Sequence, residues 1–360
     1  MRGRLDELDG VRAVAILWVA LFHYAVFWTP AGEGLDLLPY GDRLAWIPLA
    51  DVGLFGVLMF FVVSGAVISM SLERFDGPLR FGRARAVRLV PAMLVCSAIT
   101  FVLTALLGPP ELTRSVPEWL ISAAFVPPGH VGRVLGVEGW EWLDGAYWSL
   151  WVEVRFYVVA ALLAYGLRGA FLPAWLLFAA GCASLHIAGM MEIGQASALS
   201  RLLFAEYQPY FTAGIALAAL RGGGGRLALA ALSASAVLAL GYLAFGGMGE
   251  AAWSGSSVVA LGIAFALPGL AMLRPSAVRV LAARPLTALG RASYGYYLLH
   301  QNAGIALVLA LPLVGWASVG WMLVVQAGLI GMALALFAWV ERPVAARAGK
   351  HRPERATPVL

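Results

Sequence analysis

Cysteine and charge are what this chain has least of. Only two of its 360 residues are cysteine, Cys96 and Cys182. Both sit inside apolar segments, which speaks against a disulfide framework. Charged residues make up 12%, against roughly 25% in a soluble domain, too few to cover the surface of a water-soluble chain of this length. The sequence also lacks the HExxH, CxxC and P-loop patterns, so no metal site and no nucleotide-hydrolysis site is expected. It has no GxSxG elbow either, and a serine triad is not expected. The net charge of +5 is not a nucleic-acid signal, because the basic residues alternate with apolar spans.

Apolar residues are abundant instead. They account for 61% of the chain, with 13 Trp and 11 Tyr available for interfacial belts, and the mean hydropathy is +0.82. Ten apolar spans are expected, at 11–28, 52–72, 89–108, 147–167, 171–191, 200–220, 227–247, 254–273, 290–311 and 315–340. Each is near the roughly 20 residues that cross a bilayer. Backbone groups in lipid must be satisfied within their own segment, so these spans are helices. A shorter apolar piece, 116–126, precedes Pro127-Pro128-Gly129 and reads as interfacial or re-entrant. The expected fold is an all-α, polytopic membrane helix bundle of about ten transmembrane helices. Residues 1–345 form its single domain and 346–360 a basic tail. No cleavable signal peptide and no appended soluble domain are expected.

Basic residues orient the bundle. With the N-terminus in the cytoplasm, twenty of the 25 basic residues fall on the cytoplasmic side, from Arg2, Arg4 and Arg12 through Arg168 to Lys350, Arg352 and Arg355. Arg43, Arg114 and Arg133 fall outside, and Arg155 and Arg201 within spans. The bias follows the positive-inside rule with both termini cytoplasmic.

Four stretches carry polar chemistry. In the first span, Arg12 and His23 are separated by ten residues, about 16 Å along a helix, so a histidine lies past the midplane of a roughly 30 Å hydrocarbon core. Such a group faces a partner, a cavity or the bundle interior. The loop Glu73–Pro91 holds five arginines, Arg83, Arg85 and Arg88 among them. It reads either as an anchor to anionic lipid or as a site where guanidinium forks hold the phosphates of a cytoplasmic donor. The fourth span opens YWSLWVEVRFY, Tyr147 to Tyr157. Entering from outside, it carries Glu153 about 9 Å down, a depth at which it would meet His23 and fix its tautomer. Arg155, two residues on, points to nearly the opposite side. The ninth span begins GRASYGYYLLHQNAG and lines up Tyr294, Tyr297, His300 and Gln301, too many polar groups for a lipid-facing helix. His300 is a rival base to His23. Ser64-Gly65 closes the second span's FFVVSG, either as a small-residue helix contact or as part of the cavity.

LDGVRAVAILWVALFH, FFVVSG, RAVRLVP, YWSLWVEVRFY, LGRASYGYYLLHQ and WVERPV occur in this order over nearly the whole chain. Together they resemble the acyltransferase-3 family of integral membrane acyltransferases. The resemblance implies ten helices, an acyl-CoA donor used from the cytoplasm, O-acylation of an acceptor, and a central role for the Arg12–His23 pair. Arg155 stands where many members have glutamine. In this the chain looks more like the branch that contains macrolide and other secondary-metabolite acylases. The expected protein is therefore a multi-pass enzyme of the bacterial cytoplasmic (inner) membrane. It would move an acyl group from acyl-CoA, acetyl-CoA first, to a hydroxyl of a glycan, lipid or small molecule. Arg83, Arg85 and Arg88 would hold the donor, with Arg12 at the inner mouth. His23 would be the general base, oriented by Glu153, in a cavity lined by Ser64, Tyr147, Trp148, Arg155, Tyr294, Tyr297, His300 and Gln301. A transporter or flippase with a polar central cavity is the alternative.

Overall fold

A computed structural model describes residues 5–29, 32, 34–167, 169–246 and 253–349. Arg2, Arg4, Arg168, Lys350, Arg352 and Arg355 lie outside the described residues, as does most of the tail. Every regular element among the described residues is a helix, and they contain no strand.

Eight helices among them are long and apolar enough to cross a membrane. The first, α1 (Asp6–Phe22), carries Asp6, Glu7 and Asp9 in its first turn, where carboxylates complement the helix dipole. It runs on into a π-helical turn, His23–Phe27. A long loop leads to α2 (Phe55–Leu72). The next helix, α3 (Pro78–Leu107), has 30 residues, about 45 Å by helical rise, so it overshoots a roughly 30 Å core. Its overshoot is the arginine stretch. Two short helices follow, α4 (Val116–Ala123) and α5 (Pro128–Leu135), in the segment expected to be interfacial. Ser115 and Glu118 close a capping box at the start of α4.

The bundle continues with α6 (Trp148–Gly166), α7 (Phe171–Met190), α8 (Ala196–Leu202), α9 (Gln208–Arg221), α10 (Gly225–Ala244) and α11 (Gly255–Leu273). It closes with α12 (Arg284–Leu299), α13 (Asn302–Leu309), α14 (Gly315–Leu336) and α15 (Arg342–Gly349).

Two of the ten expected spans are not single helices. Span 200–220 breaks between α8 and α9, where Phe204 adopts φ +46° and Pro209 occupies the first turn of α9. Span 290–311 breaks at His300 and Gln301, between α12 and α13. There the buried Asp144 carboxylate accepts the Asn302 backbone N–H at 2.8 Å, capping the second half-helix. Irregular backbone at membrane depth is tolerated where it is buried in protein, as it is at His300 and Gln301.

The centre of the bundle is α1, held between α2 and α12, with α9 behind α2. Missing side chains let these backbones touch. A Cβ on Gly290 of α12 would lie 1.7 Å from the Asp9 carbonyl oxygen, and one on Gly214 of α9 would lie 2.0 Å from that of Val62. Small residues at such crossings draw membrane helices together. They also bring the polar faces of α1, α2, α6 and α12 onto one interior space.

Candidate active site

That space has two parts. The larger is a cavity of about 1640 Å³ at the arginine-rich end of the bundle. Seven arginines line it: Arg12, Arg74, Arg85, Arg88, Arg221, Arg291 and Arg342. Arg291 bonds Asp9 at 3.1 Å and Asp6 at 2.9 Å, clamping the start of α1 to α12. Arg221 donates to the Met272 carbonyl. By contrast, the buried Nε of Arg85 and Oε1 of Glu341 have no hydrogen-bond partner among the described residues, which is unusual for buried polar groups.

The smaller part is a chamber of about 80 Å³, and Arg12, Arg85 and Arg88 line both. Volume of that order equals two or three waters. In it, Ser64 of α2 donates its Oγ proton to Glu153 Oε1 of α6 at 2.8 Å. The Tyr157 hydroxyl, one turn on from Glu153, donates to the same oxygen at 2.5 Å. Arg12 donates from Nε and Nη2 to Ser293 Oγ of α12, at 3.2 and 3.0 Å. Tyr297 and Ser149 share a 2.7 Å hydroxyl contact, and Tyr294 donates to the Leu89 carbonyl at 3.2 Å.

His23 and His300 form a second station. His23 Nδ1 lies 2.8 Å from the Val19 carbonyl oxygen. A carbonyl can only accept, so the proton is on Nδ1 and Nε2 carries the free lone pair. His300 Nδ1 is bound in the same way to the Tyr297 carbonyl at 2.8 Å, and its Nε2 approaches His23 Nδ1 at 3.4 Å. The rings meet edge to face, 4.9 Å between centroids. A π turn, a bulge often found at functional sites, begins at His23, whose own backbone N–H still bonds the Val19 carbonyl in α register. Phe60 and Tyr297, in edge contact at 6.4 Å, line the chamber next to this station.

The expected pairing of His23 with Glu153 is not what the structure brings together. Glu153 bonds Ser64 and Tyr157 beside Arg12, whereas His23 bonds Val19 and faces His300. The expected depth of Glu153 assumed that α6 starts at the membrane surface. It starts inside the bundle: Leu143 and Asp144 are fully buried, and the Tyr147 hydroxyl bonds the Leu298 carbonyl at 3.1 Å. Nine ångströms further down, Glu153 reaches the level of Arg12.

Of the other expected residues, Ser64, Tyr294 and Tyr297 line the chamber. Tyr147, His300 and Gln301 pack above it, and the buried Gln301 Oε1 has no partner among the described residues. Trp148 packs in an aromatic cluster, edge-on to Phe61 and tilted against Tyr207. Arg155 turns away from the cavity. It donates to the Arg201 and Leu202 carbonyls at 2.6 and 3.0 Å, and so caps the broken end of α8, with Trp151 and Phe204 against its guanidinium. Arg83 is exposed and lines neither cavity, because its neighbours Arg85 and Arg88 occupy the inner face of α3. Sequence reasoning missed Tyr157, Ser293, Arg221 and Glu341. Tyr157 was findable, since four residues place it on the face of Glu153. The others depend on packing between distant helices.

A helical, multi-pass membrane bundle with a polar interior is the class these features define. The chain belongs to the acyltransferase-3 family, whose acyltransferase domain matches residues 5–340. It is 29% identical over 185 residues to the Regulator of hypoxia-inducible factor 1 of Caenorhabditis elegans, covering 44% of this chain and 34% of that protein. It is 26% identical over 192 residues to the O-acetyltransferase OatA of Staphylococcus aureus, covering 47% of this chain and 26% of that protein. The matched regions thus span only about a third and about a quarter of these relatives' own length. No solved structure matches the chain.

Proposed function

We propose that the protein is a membrane O-acyltransferase that takes an acyl group, acetyl first, from acyl-CoA at the cytoplasmic, arginine-rich end. The acceptor is a hydroxyl of a glycan, lipid or small molecule of the cell envelope or of secondary metabolism. One observation carries this reading. An arginine-lined cavity narrows, through shared Arg12, Arg85 and Arg88, into a chamber that holds a carboxylate–hydroxyl pair. The cavity exceeds the roughly 300–1,000 Å³ of ordinary ligand pockets, which suits a nucleotide-bearing donor with a long arm. Guanidinium groups suit its phosphates. The S. aureus relative is named for O-acetyl transfer, which supports the reaction class.

In this reading Arg85 and Arg88 hold the donor phosphates, and Arg12 guards the neck. His23 Nε2, left free by the Nδ1 bond to Val19, takes the acceptor hydroxyl proton. The orienting carboxylate expected for His23 is replaced by the Val19 carbonyl. The test is a titration of purified protein with coenzyme A, together with mass-spectrometric detection of acetyl transfer. Arg88→Ala should weaken donor binding. His23→Ala should lower turnover about 10²–10⁴-fold, the usual contribution of a placed base, while leaving donor binding intact. Unchanged coenzyme A affinity in Arg88→Ala, or near wild-type transfer by His23→Ala, would remove those assignments.

A further inference from the structure

The chamber contains a serine hydroxyl bonded to a carboxylate. The chain lacks a serine elbow, but the fold places a carboxylate where a triad would place its histidine: Ser64 Oγ donates to Glu153 Oε1 at 2.8 Å, within the reach required of a nucleophile–base pair. The pair faces a cavity neck lined by the guanidinium groups of Arg12, Arg85 and Arg88. Arg12 uses only Nε and Nη2 on Ser293, so its Nη1 has no partner among the described residues and is available to a developing oxyanion. Tyr157 holds the second hydrogen bond on Glu153 Oε1 and so fixes the carboxylate against Ser64. Room is the second argument. A chamber of about 80 Å³, two or three waters in volume, admits a thioester carbonyl or an acceptor hydroxyl more readily than both together.

We propose that Ser64 carries the acyl group as an ester between donor and acceptor, with Glu153 as the base of the loading step. This rests on the acyl-CoA reading above. In the first half, Ser64 Oγ attacks the thioester carbonyl. The Oγ–carbon bond forms and the carbon–sulfur bond breaks. The serine proton passes to Glu153 and from there to the coenzyme A thiolate, which leaves as the free thiol. In the second half, the acceptor oxygen attacks the ester carbonyl, the Oγ–carbon bond breaks, and the acceptor proton, taken by His23 as above, is returned to Ser64 Oγ. No oxidant or further co-reactant is required. Separating the halves lets donor and acceptor use one small chamber in turn.

An ester intermediate predicts an exchange that needs no acceptor. Purified protein given acetyl-CoA and isotopically labelled coenzyme A should move label into acetyl-CoA. After acid quenching, the peptide containing Ser64 should carry the mass of one acetyl group. Ser64→Ala should abolish both signals while still binding coenzyme A in a titration, which shows that the variant is folded. Ser64→Cys should accumulate a label released by neutral hydroxylamine, as a thioester is and a serine ester is not. Glu153→Gln should slow exchange by about 10²-fold or more. If the wild-type protein binds coenzyme A and acetylates an acceptor without exchange or labelled Ser64, transfer is direct: the proposal fails and the donor reading stands. If coenzyme A does not bind at all, the donor reading fails and takes the proposal with it.

Discussion

Gly290→Ala adds one methyl group at the tightest helix crossing in the bundle. The new Cβ would sit 1.7 Å from the Asp9 carbonyl oxygen and 2.5 Å from its carbon. Both are backbone atoms, so no side chain can swing aside. Reaching an ordinary contact of 3.4 Å requires α1 and α12 to separate by about 1.7 Å at this point. Two links sit beside it. Arg12 Nη2 to Ser293 Oγ at 3.0 Å and Arg291 Nε to Asp9 at 3.1 Å would both stretch past hydrogen-bond reach. Overpacking of this kind costs about 1–3 kcal/mol, a fall in melting temperature on the order of 2–6 °C for a domain of a few hundred residues. Function should suffer more, because Arg12 lines the neck of the chamber and a misplacement of about 1 Å can cost 10²-fold in rate. Thermal unfolding in detergent and acetyl transfer, measured on the same preparation, read both effects. Gly181→Ala is the control, because a Cβ on this glycine of α7 meets nothing within 4 Å. If Gly290→Ala matches the control in both stability and turnover, α1 and α12 are not held by backbone contact, and the positioning of Arg12 argued from it is wrong.

Other perturbations separate roles that lie close together in the sequence. Arg83→Ala should leave coenzyme A affinity unchanged where Arg85→Ala weakens it, since the first side chain is exposed and the second lines both cavities; equal losses in the two titrations would show that the loop acts by net charge. Arg155→Ala should destabilise the protein by about 1.5–3 kcal/mol, the range for a hydrogen bond to a charged group, through the uncapped Arg201 and Leu202 carbonyls, with the donor affinity of the folded fraction preserved. Partial burial pushes the Glu118 carboxyl up, but N–H groups of Glu141 and Ser115, the Ser115 hydroxyl and the charge of Arg114 outweigh it and hold the carboxyl below its ordinary range. A depressed carboxyl stabilises the folded state above its unfolded value of about 4.3 and loses that effect as pH falls through the lower folded value. Glu118→Gln should therefore lower the melting temperature at neutral pH, and the gap from wild type should close under strong acid; a gap constant with pH would mean that the capping box acts without its charge.

Hydropathy made the bundle legible, and residue type made much of the chamber legible. An arginine at the start of α1, a carboxylate in α6 and a serine in α2 are costly in apolar surroundings unless they share a polar space, and the fold puts Arg12, Glu153 and Ser64 in one. Depth and direction were not legible in the same way. An apolar stretch satisfies hydropathy whether it meets lipid or the bundle interior, so the burial of Leu143 and Asp144, which starts α6 deep, leaves no compositional mark. The break at His300–Gln301 is equally silent. It depends on Asp144, 158 positions away, capping Asn302. Arg155 shows the converse. A charge in a span pointed to the cavity, yet backbone carbonyls freed by the break between α8 and α9 gave it a partner on the other side.

The two polar stations are linked through α1 and α12. Eleven residues from Arg12 to His23 make three turns and about 20° more, so both side chains leave α1 on nearly one face. Seven residues from Ser293 to His300 make two turns less about 20°, which matches them on α12. Arg12 meets Ser293 at one level, and His23 meets His300 at the other. At the second level the helix break matters. The His300 carbonyl, released from helical bonding, accepts the Tyr24 hydroxyl at 2.6 Å, and the Tyr24 carbonyl accepts the Tyr40 hydroxyl at 2.7 Å. The loop after α1 is thereby tied to the backbone beside the histidine pair. A ligand in the arginine cavity would reach Arg12 through Arg85 and Arg88. One α1–α12 interface thus holds both stations, Arg12 with Ser293 at the cavity neck and His23 with His300 at the helix break.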